Sequence, residues 1–366
     1  MTQNQPEVGL YGLSNSNRNF TKKESWGKNQ FNSSFPAALG CYMHHLGIQP
    51  VYLKLDRELK VAHTKISVRD VFGAEPLSEN LFFFFECDFA PYRELVVGKL
   101  PGVDLVTQSS ASRDSCLKAI EIKLTALPDN STCKLTDDGY GCEIVVRPDT
   151  IVYLALSIAD KFKERKNDLL NYLDPVFSQI QDLTSISSVF PHILEIVDCM
   201  DSFFLRHLDI QSPIVMQPIW KTAGKSVKLY NHCLDMFIWS DFAFTRLFFD
   251  VKKNFAKKNE VINRQMRTVV WLAKMLHDFA QNGKMNHRVI IDTLTYDTKN
   301  DKAFSLTGRS TRAYMNSQEL LSPRITKDKI RDIIIGGGHN FLSPERRFDG
   351  IILGNPEIFD ESLKNI

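Results

Sequence analysis

Hydrophobic and polar positions divide the chain into a strand-rich part and a helix-rich part that follows it. From residue 50 to 147 the apolar residues come in short runs separated by Gly, Pro and Asp, a pattern typical of strands and turns. The predicted strands cover residues 50–55, 60–67, 81–88, 103–107, 117–125 and 142–147. A helix is predicted before them, over residues 35–46, because Pro36 falls in its first turn and Gly47 follows its end.

From Asp149 onward the apolar residues recur at three- and four-residue spacing, which predicts helices. The predicted helices cover residues 149–166, 189–208, 227–249 and 259–280, and further strands are predicted at 214–220, 286–296 and 330–335. This order favours an α/β fold with a mixed β-sheet core flanked by helices and a helical C-terminal elaboration. We divide the chain into a polar N-terminal arm (1–35), a core (36–225) and a helix-rich segment packed on that core (226–366).

Two opposite charges interrupt a run that otherwise has the pattern of a buried strand, at Glu121 and Lys123. Residues i and i+2 of a strand share one face, so these two side chains are expected to point the same way. Asp104 lies in a short apolar run on the preceding predicted strand. The three side chains can therefore converge on one point. The alternative is an ordinary ion pair on a solvent-facing sheet.

Such a convergence is suited to the hydrolysis of a phosphodiester. Mg²⁺ prefers oxygen ligands, and we predict that Asp104, Glu121 and the backbone carbonyl of Ile122 supply them. The predicted catalytic residues are Asp104, Glu121 and Lys123; the lysine would orient or help to deprotonate a water, or stabilise charge at the phosphate, and the sequence leaves these roles open. Glu86 and Glu94 are candidates for an additional ligand or base.

Composition adds limits to this picture. The 366 residues carry a formal net charge of only +2, which excludes a polycationic coat but leaves room for a local basic groove. Basic clusters occur between residues 252 and 267, a stretch that includes Arg267, and at six further positions that are candidates for DNA contacts: Arg18, Lys22, Lys23, Lys28, Arg309 and Arg312. No apolar run reaches the ~20 residues that span a bilayer, and no secretory signal is visible, so a cytoplasmic protein is expected.

Four segments of the chain resemble the HindVP family of type II restriction endonucleases. They are residues 10–20 (LYGLSNSNRNF), 26–36 (WGKNQFNSSFP), 121–129 (EIKLTALPD) and 143–148 (EIVVRP). The resemblance is strongest over roughly 10–160 and implies a PD-(D/E)XK nuclease fold. Independently of it, we predict that the helix-rich segment 226–366 serves DNA recognition or dimerisation. The resemblance also implies Mg²⁺-dependent cleavage of double-stranded DNA at a short palindrome, possibly related to the GRCGYC site of the family's namesake, by a homodimer with a cognate DNA methyltransferase encoded nearby.

The family's catalytic motif maps onto Asp104, Glu121 and Lys123 of this sequence. One departure is that Pro101 is separated from Asp104 by two residues instead of adjoining it. Two other functions remain open at this level. One is a structure-specific nuclease of DNA repair or recombination with the same fold, and the other is a DNA-binding module whose nuclease site is vestigial.

Overall fold

The computed structural model describes the greater part of the chain between residues 36 and 325. The described residues are 36–37, 39–41, 43–55, 61–76, 78, 80–110, 112, 114–123, 144–207, 213–219, 235–248, 261–296, 298, 304–306, 311 and 324–325. The described residues between 36 and 45 are helical, as the sequence predicts.

A seven-stranded mixed sheet is the centre of the fold. The strands of the described chain are β1 (Val51–Leu55), β2 (Val61–Lys65), β3 (Phe82–Cys87), β4 (Val103–Gln108), β5 (Cys116–Ile122), β6 (Ile144–Val146), β7 (Pro213–Ile219), β8 (Asp235–Ser240) and β9 (Phe304–Leu306). Seven of them form one sheet in the order β2-β1-β8-β7-β5-β4-β3, while β6 and β9 pair separately. Within the large sheet β1 and β8 are parallel, as are β5 and β7, and the remaining neighbours are antiparallel.

The antiparallel pair β4–β5 contains a β-bulge close to its hairpin turn. Gln108 is aligned with Cys116, but the next residue of β4, Thr107, is aligned with Lys118, so that Leu117 is the extra residue. Beyond the bulge the ladder is regular and continues to its last aligned pair, Leu105 with Ile120.

Helices cover the sheet. Besides the helical residues between 36 and 45, the helices of the described chain are α1 (Val68–Phe72), α2 (Pro148–Lys161), α3 (Lys166–Phe177), α4 (Ile186–Val189), α5 (Ile193–Arg206), α6 (Asp241–Arg246), α7 (Arg264–Asn282) and α8 (His287–Thr293). The longest, α7, begins where the side chain of Asn263 accepts a hydrogen bond from the amide of Met266 (2.9 Å) and ends at Gly283, whose φ of 74° is in the left-handed region.

Helix α2 links the helical layer to the sheet. Proline at its first position fixes the backbone for helix entry, and the ten residues from Thr150 to Ala159 are all buried. A helix that is buried all round must be covered on more than one side, and α2 packs against both β4 and α7.

Several predictions from the hydrophobic pattern are wrong. The helix predicted at 227–249 contains strand β8 followed by the short helix α6, and the strand predicted at 286–296 contains helix α8. Helix α3 is not predicted at all. Arg267, counted in a basic cluster, is 1% exposed and stacks its guanidinium 4.5 Å from the centre of the Trp271 ring. The mixed α/β class is confirmed, whereas the boundary at residue 225 stays a prediction; β8 lies beyond it and yet is inside the sheet.

Two further predictions concern residues that the structure does not describe. The arm (1–35) and the strand at 330–335 are not among the described residues. No helix in the described part of the chain is long and apolar enough to cross a membrane.

Candidate active site

The register of β4 and β5 brings Asp104 and Glu121 together. One residue past the last aligned pair, Leu105 with Ile120, the same alignment sets Asp104 opposite Glu121. Side chains directly opposite on antiparallel strands lie on the same face of the sheet. The convergence expected from the sequence is therefore present, at the point where the β4–β5 ladder ends.

The main chain of β5 contributes to this point through Ile122. Its amide donates a hydrogen bond to Oδ2 of Asp104 at 2.8 Å. The acceptor for this amide is therefore the side-chain carboxylate of Asp104 and not a backbone carbonyl of β4. The next amide along, that of Lys123, turns to the other side and donates to the carbonyl of Met216 in β7 at 2.9 Å. Because the N–H and C=O of one strand residue point to the same side, the carbonyl of Ile122 faces the side of Asp104.

Glu121 and Lys123 form a buried ion pair, with exposed fractions of 7% and 6%. The ammonium donates to Oε1 of Glu121 and also to the hydroxyl of Thr150, at 2.9 Å. The Thr150 hydroxyl in turn donates to the same Oε1 at 2.7 Å. The three groups thus close a triangle of hydrogen bonds between β5 and the first turn of α2.

The electrostatics at this point favour a cation. Burial and the negative charge of Glu121 raise the pKa of Asp104 to about 7, against the opposing effects of Lys123 and of the Ile122 amide. Two close carboxylates cannot both be ionised without cost unless positive charge compensates them. A single ammonium, already shared with Glu121, offsets only part of that charge.

The residues present fit a divalent ion with oxygen ligands. Oδ1 of Asp104 and Oε2 of Glu121 accept no hydrogen bond from any described residue, so each carboxylate keeps an oxygen for a ligand. Within the described ranges no group of three or more His, Cys, Asp or Glu side chains could hold a metal by itself. The protein would thus supply two carboxylates and the Ile122 carbonyl, and Mg²⁺ commonly retains several waters.

The two extra acids predicted from the sequence lie in different surroundings. Glu86 falls between the aligned pairs Phe85–Leu105 and Cys87–Val103, opposite Asp104, and its φ of 50° takes it out of the ladder. Its charge contributes to the raised pKa of Asp104. Glu94 is instead on the surface, where its side chain is 68% exposed and pairs with Lys163 at 2.7 Å.

Sequence reasoning missed two neighbours of the site, both in the first turn of α2. One is Thr150, and the other is Asp149, whose pKa is raised by partial burial and by the charge of Glu121. The available signal was the stretch Arg147-Pro148-Asp149-Thr150, since proline before a long apolar run marks a helix start. Nothing in that signal indicates which strand the helix start contacts.

Tyr153 holds α2 against the segment that leads into Asp104. Its hydroxyl donates to the carbonyl of Pro101 at 2.8 Å and accepts from the amide of Phe89 at 3.1 Å. The turn itself is tight, because a Cβ on Gly102 would lie 3.1 Å from the carbonyl oxygen of Glu86. The hydroxyl of Tyr153 thus ties α2 to the turn that leads into Asp104.

Replacing Tyr153 by Phe leaves the Pro101 carbonyl and the Phe89 amide without their partner, so we expect the free energy of unfolding to fall by about 1–3 kcal/mol. Urea denaturation measures this. The control is Tyr172→Phe, which removes a hydroxyl that accepts one hydrogen bond from exposed Arg206 and should change stability by less than about 0.5 kcal/mol. Equal effects of the two substitutions would contradict the anchoring role.

The basic residues predicted to contact DNA lie outside the described residues. They are Arg18, Lys22, Lys23, Lys28, Arg309 and Arg312. Their roles stay predictions.

A mixed sheet flanked by helices, with two carboxylates and a lysine converging at the ends of adjacent strands, is the architecture of a restriction-endonuclease-like enzyme. Comparison of the sequence with known families agrees: residues 26–359 match the family model described as HindVP restriction endonuclease. The chain belongs to this family and is an enzyme of the type II restriction endonuclease class.

Two relatives match over nearly their whole length. The type II restriction enzyme HgiDI of Herpetosiphon aurantiacus is 49% identical over 360 residues, which cover 98% of this chain and 99% of the relative. The probable type II restriction enzyme HindVP of Haemophilus influenzae is 43% identical over 355 residues, which cover 96% and 94%. No solved structure matches the chain significantly.

Proposed function

We propose that this enzyme hydrolyses phosphodiester bonds of double-stranded DNA at a short palindromic site, with Mg²⁺ bound at Asp104, Glu121 and the carbonyl of Ile122. The observation that carries the proposal is the meeting of Asp104, Glu121 and Lys123 at one point in a chain of this family. The raised pKa of Asp104 supports it, because the same crowding of carboxylates that raises a pKa favours a divalent cation.

Each residue has a distinct role in this proposal. When bound, Mg²⁺ supplies Lewis-acid stabilisation of charge on the phosphate and lowers the pKa of a coordinated water. Asp104 and Glu121 would each bind the metal through the carboxylate oxygen to which no described residue donates a hydrogen bond. Lys123 has three ammonium protons, of which Glu121 and Thr150 accept two, so the third can be donated to a water or a phosphate oxygen. Of the two extra acids, we keep only Glu86 as a candidate for an additional ligand or base, because it lies opposite Asp104, whereas Glu94 pairs with Lys163 on the surface.

The partners follow from the geometry of palindromes. A two-fold symmetric site offers each subunit of a homodimer the same half-site, and we propose that the enzyme acts as such a dimer. The basic residues of the N-terminal arm and those near residue 310 are proposed DNA contacts, because Arg reads guanine bidentately and Lys and Arg bind phosphates. The recognition sequence is proposed to be related to GRCGYC. The enzyme would work in the cytoplasm of a prokaryotic cell as part of a restriction–modification system, with its methyltransferase encoded nearby.

Digestion of phage DNA by the purified protein tests the proposal. Discrete fragments in the presence of Mg²⁺, and none in EDTA, are the expected result, and fragment sizes then give the recognition site. A smear, or cleavage confined to junctions and ends, would contradict site-specific hydrolysis in favour of a structure-specific nuclease. DNA binding without any cleavage would contradict the nuclease activity itself.

A further inference from the structure

We infer that Thr150 is a positioning residue whose hydroxyl holds the ammonium of Lys123 beside the site through a hydrogen bond of its own, in addition to the ion pair of Lys123 with Glu121. This inference rests on the proposed function, because it concerns the same two charged groups. It assigns a role to a residue at the start of α2, a helix that carries none of the predicted catalytic side chains.

The hydrogen-bonding capacity of Thr150 fixes the direction of each bond. A carboxylate only accepts and an ammonium only donates, so the single hydroxyl proton must go to Glu121 and a lone pair must face Lys123. The second lone pair faces the amide of Arg147, at 3.4 Å. With one proton given and two lone pairs occupied, the hydroxyl has no alternative arrangement in which both charged neighbours remain satisfied.

The position of the hydroxyl is fixed by the fold. Thr150 is 1% exposed, and its β-branched side chain has few rotamers within a helix. The same helix is anchored one turn later by Tyr153, which bonds the segment before Asp104. The ammonium of Lys123 is therefore held from two elements: Thr150 binds it from α2, and Glu121 binds it from β5.

A second hydrogen-bond acceptor for Lys123 matters because Glu121 has two roles: it pairs with the ammonium, and it is a proposed ligand of the metal. A cation drawn to the Glu121 carboxylate weakens that carboxylate as an acceptor for the ammonium, and a lysine side chain has four flexible carbons over which to move away. The neutral Thr150 oxygen does not compete for a cation held by the two carboxylates. It can keep Lys123 in place while Glu121 serves as a ligand.

The test compares Thr150→Val, which removes the hydroxyl at nearly constant volume, with Thr150→Ser, which retains it. In single-turnover cleavage at saturating enzyme, Thr150→Val is expected to be slower than wild type by about 10- to 100-fold, the loss typical of a misplaced catalytic group. Thr150→Ser is expected to stay within about threefold of wild type, because its hydroxyl offers the same proton and lone pairs. DNA affinity in EDTA, measured by fluorescence anisotropy, should be the same for all three proteins.

Thr268→Val is the matched control, because Thr268 is equally buried and, among the described residues, its hydroxyl bonds only the carbonyl of Arg264 on α7. Its cleavage rate should equal that of wild type. Should Thr150→Val fail to fold, Thr150→Ala removes the same hydroxyl without adding volume. Melting temperatures and DNA binding in EDTA identify a loss of rate that comes only from unfolding.

The outcomes separate this inference from the proposed function. Wild-type rates in Thr150→Val, or equal losses in the Val and Ser variants, would overturn the positioning role while leaving the nuclease intact. A wild-type protein that binds DNA but cleaves none would overturn the proposed function, and the inference with it.

Discussion

Glu121→Gln is expected to lower the rate of DNA cleavage by on the order of 10³-fold or more while the protein stays folded. The substitution removes one of the two negative charges that would bind the metal and replaces one carboxylate oxygen by an amide that donates. Thr150 and Lys123 both donate to Oε1, which Gln can reproduce with its carbonyl oxygen, so the network around α2 can persist. The measurement is single-turnover cleavage of a plasmid at saturating enzyme and Mg²⁺, beside DNA affinity in EDTA.

Glu94→Gln is the control for that experiment. It makes the same chemical change at a carboxylate that is 68% exposed and pairs with Lys163 on the surface. Its cleavage rate should remain close to that of wild type. A Glu121→Gln enzyme that keeps more than about a tenth of the wild-type rate would remove Glu121 from the proposed catalytic set.

Asp104→Asn is expected to abolish cleavage and, in the absence of metal, to stabilise the protein at pH 8. The Asn side-chain oxygen can still accept the hydrogen bond from the Ile122 amide, so the substitution chiefly removes charge. The folded-state pKa of Asp104, about 7, lies above its ordinary value of 3.8, so the folded protein holds this proton more tightly than the unfolded chain. Ionisation then costs stability that grows as the pH rises from about 4 to about 7 and is constant above that range.

The expected gain for Asp104→Asn in EDTA is on the order of 4 kcal/mol at pH 8, because the pKa is raised from 3.8 to about 7 and each pKa unit corresponds to about 1.4 kcal/mol. At pH 4 the expected gain is close to zero, because the ionisation penalty is present only at the higher pH. Urea denaturation at the two pH values measures it. Asp182→Asn provides a control of opposite sign, since hydrogen bonds from Thr184 lower the pKa of that exposed carboxylate. An Asp104→Asn protein that is less stable than wild type at pH 8 would mean that burial and the charge of Glu121 do not destabilise the ionised carboxylate of Asp104 in the folded protein.

The core of the candidate site is predictable from the sequence because its geometry is local to one hairpin. Strand alternation puts Glu121 and Lys123 on one face, and the preceding strand supplies Asp104. Thr150 is not predictable in the same way. Its contact with Lys123 depends on how the start of α2 packs on β5, and the residues between those two elements carry no periodic signal for that packing.

The wrong assignments elsewhere also have physical causes. Residues of β8 and α6 form one nearly continuous apolar run, and a run that is buried on all sides has no period that separates strand from helix. In α8 the β-branched residues Val289, Ile290 and Ile291 favour a strand by propensity, but Asn286 caps the first turn by accepting from the amide of Val289. The α/β class survives these errors because it depends on the overall order of elements.

The bulge at Leu117 sets the register of the β4–β5 hairpin, and with it whether Glu121 lies on the same face of the sheet as Asp104. If the alignment of Gln108 with Cys116 continued without interruption, Ile120 would lie opposite Asp104 and Glu121 would project from the opposite face of the sheet. Whether this one residue, remote from the chemistry and itself without catalytic groups, is accommodated outside the ladder therefore decides whether the three functional side chains share a face. Deletion of Leu117 would join Cys116 to Lys118 in a regular ladder that still sets Asp104 opposite Glu121. A residue inserted between Leu117 and Lys118 would instead set Ile120 opposite Asp104 and turn Glu121 to the other face of the sheet, so we expect the candidate site to tolerate the deletion and to be lost on the insertion.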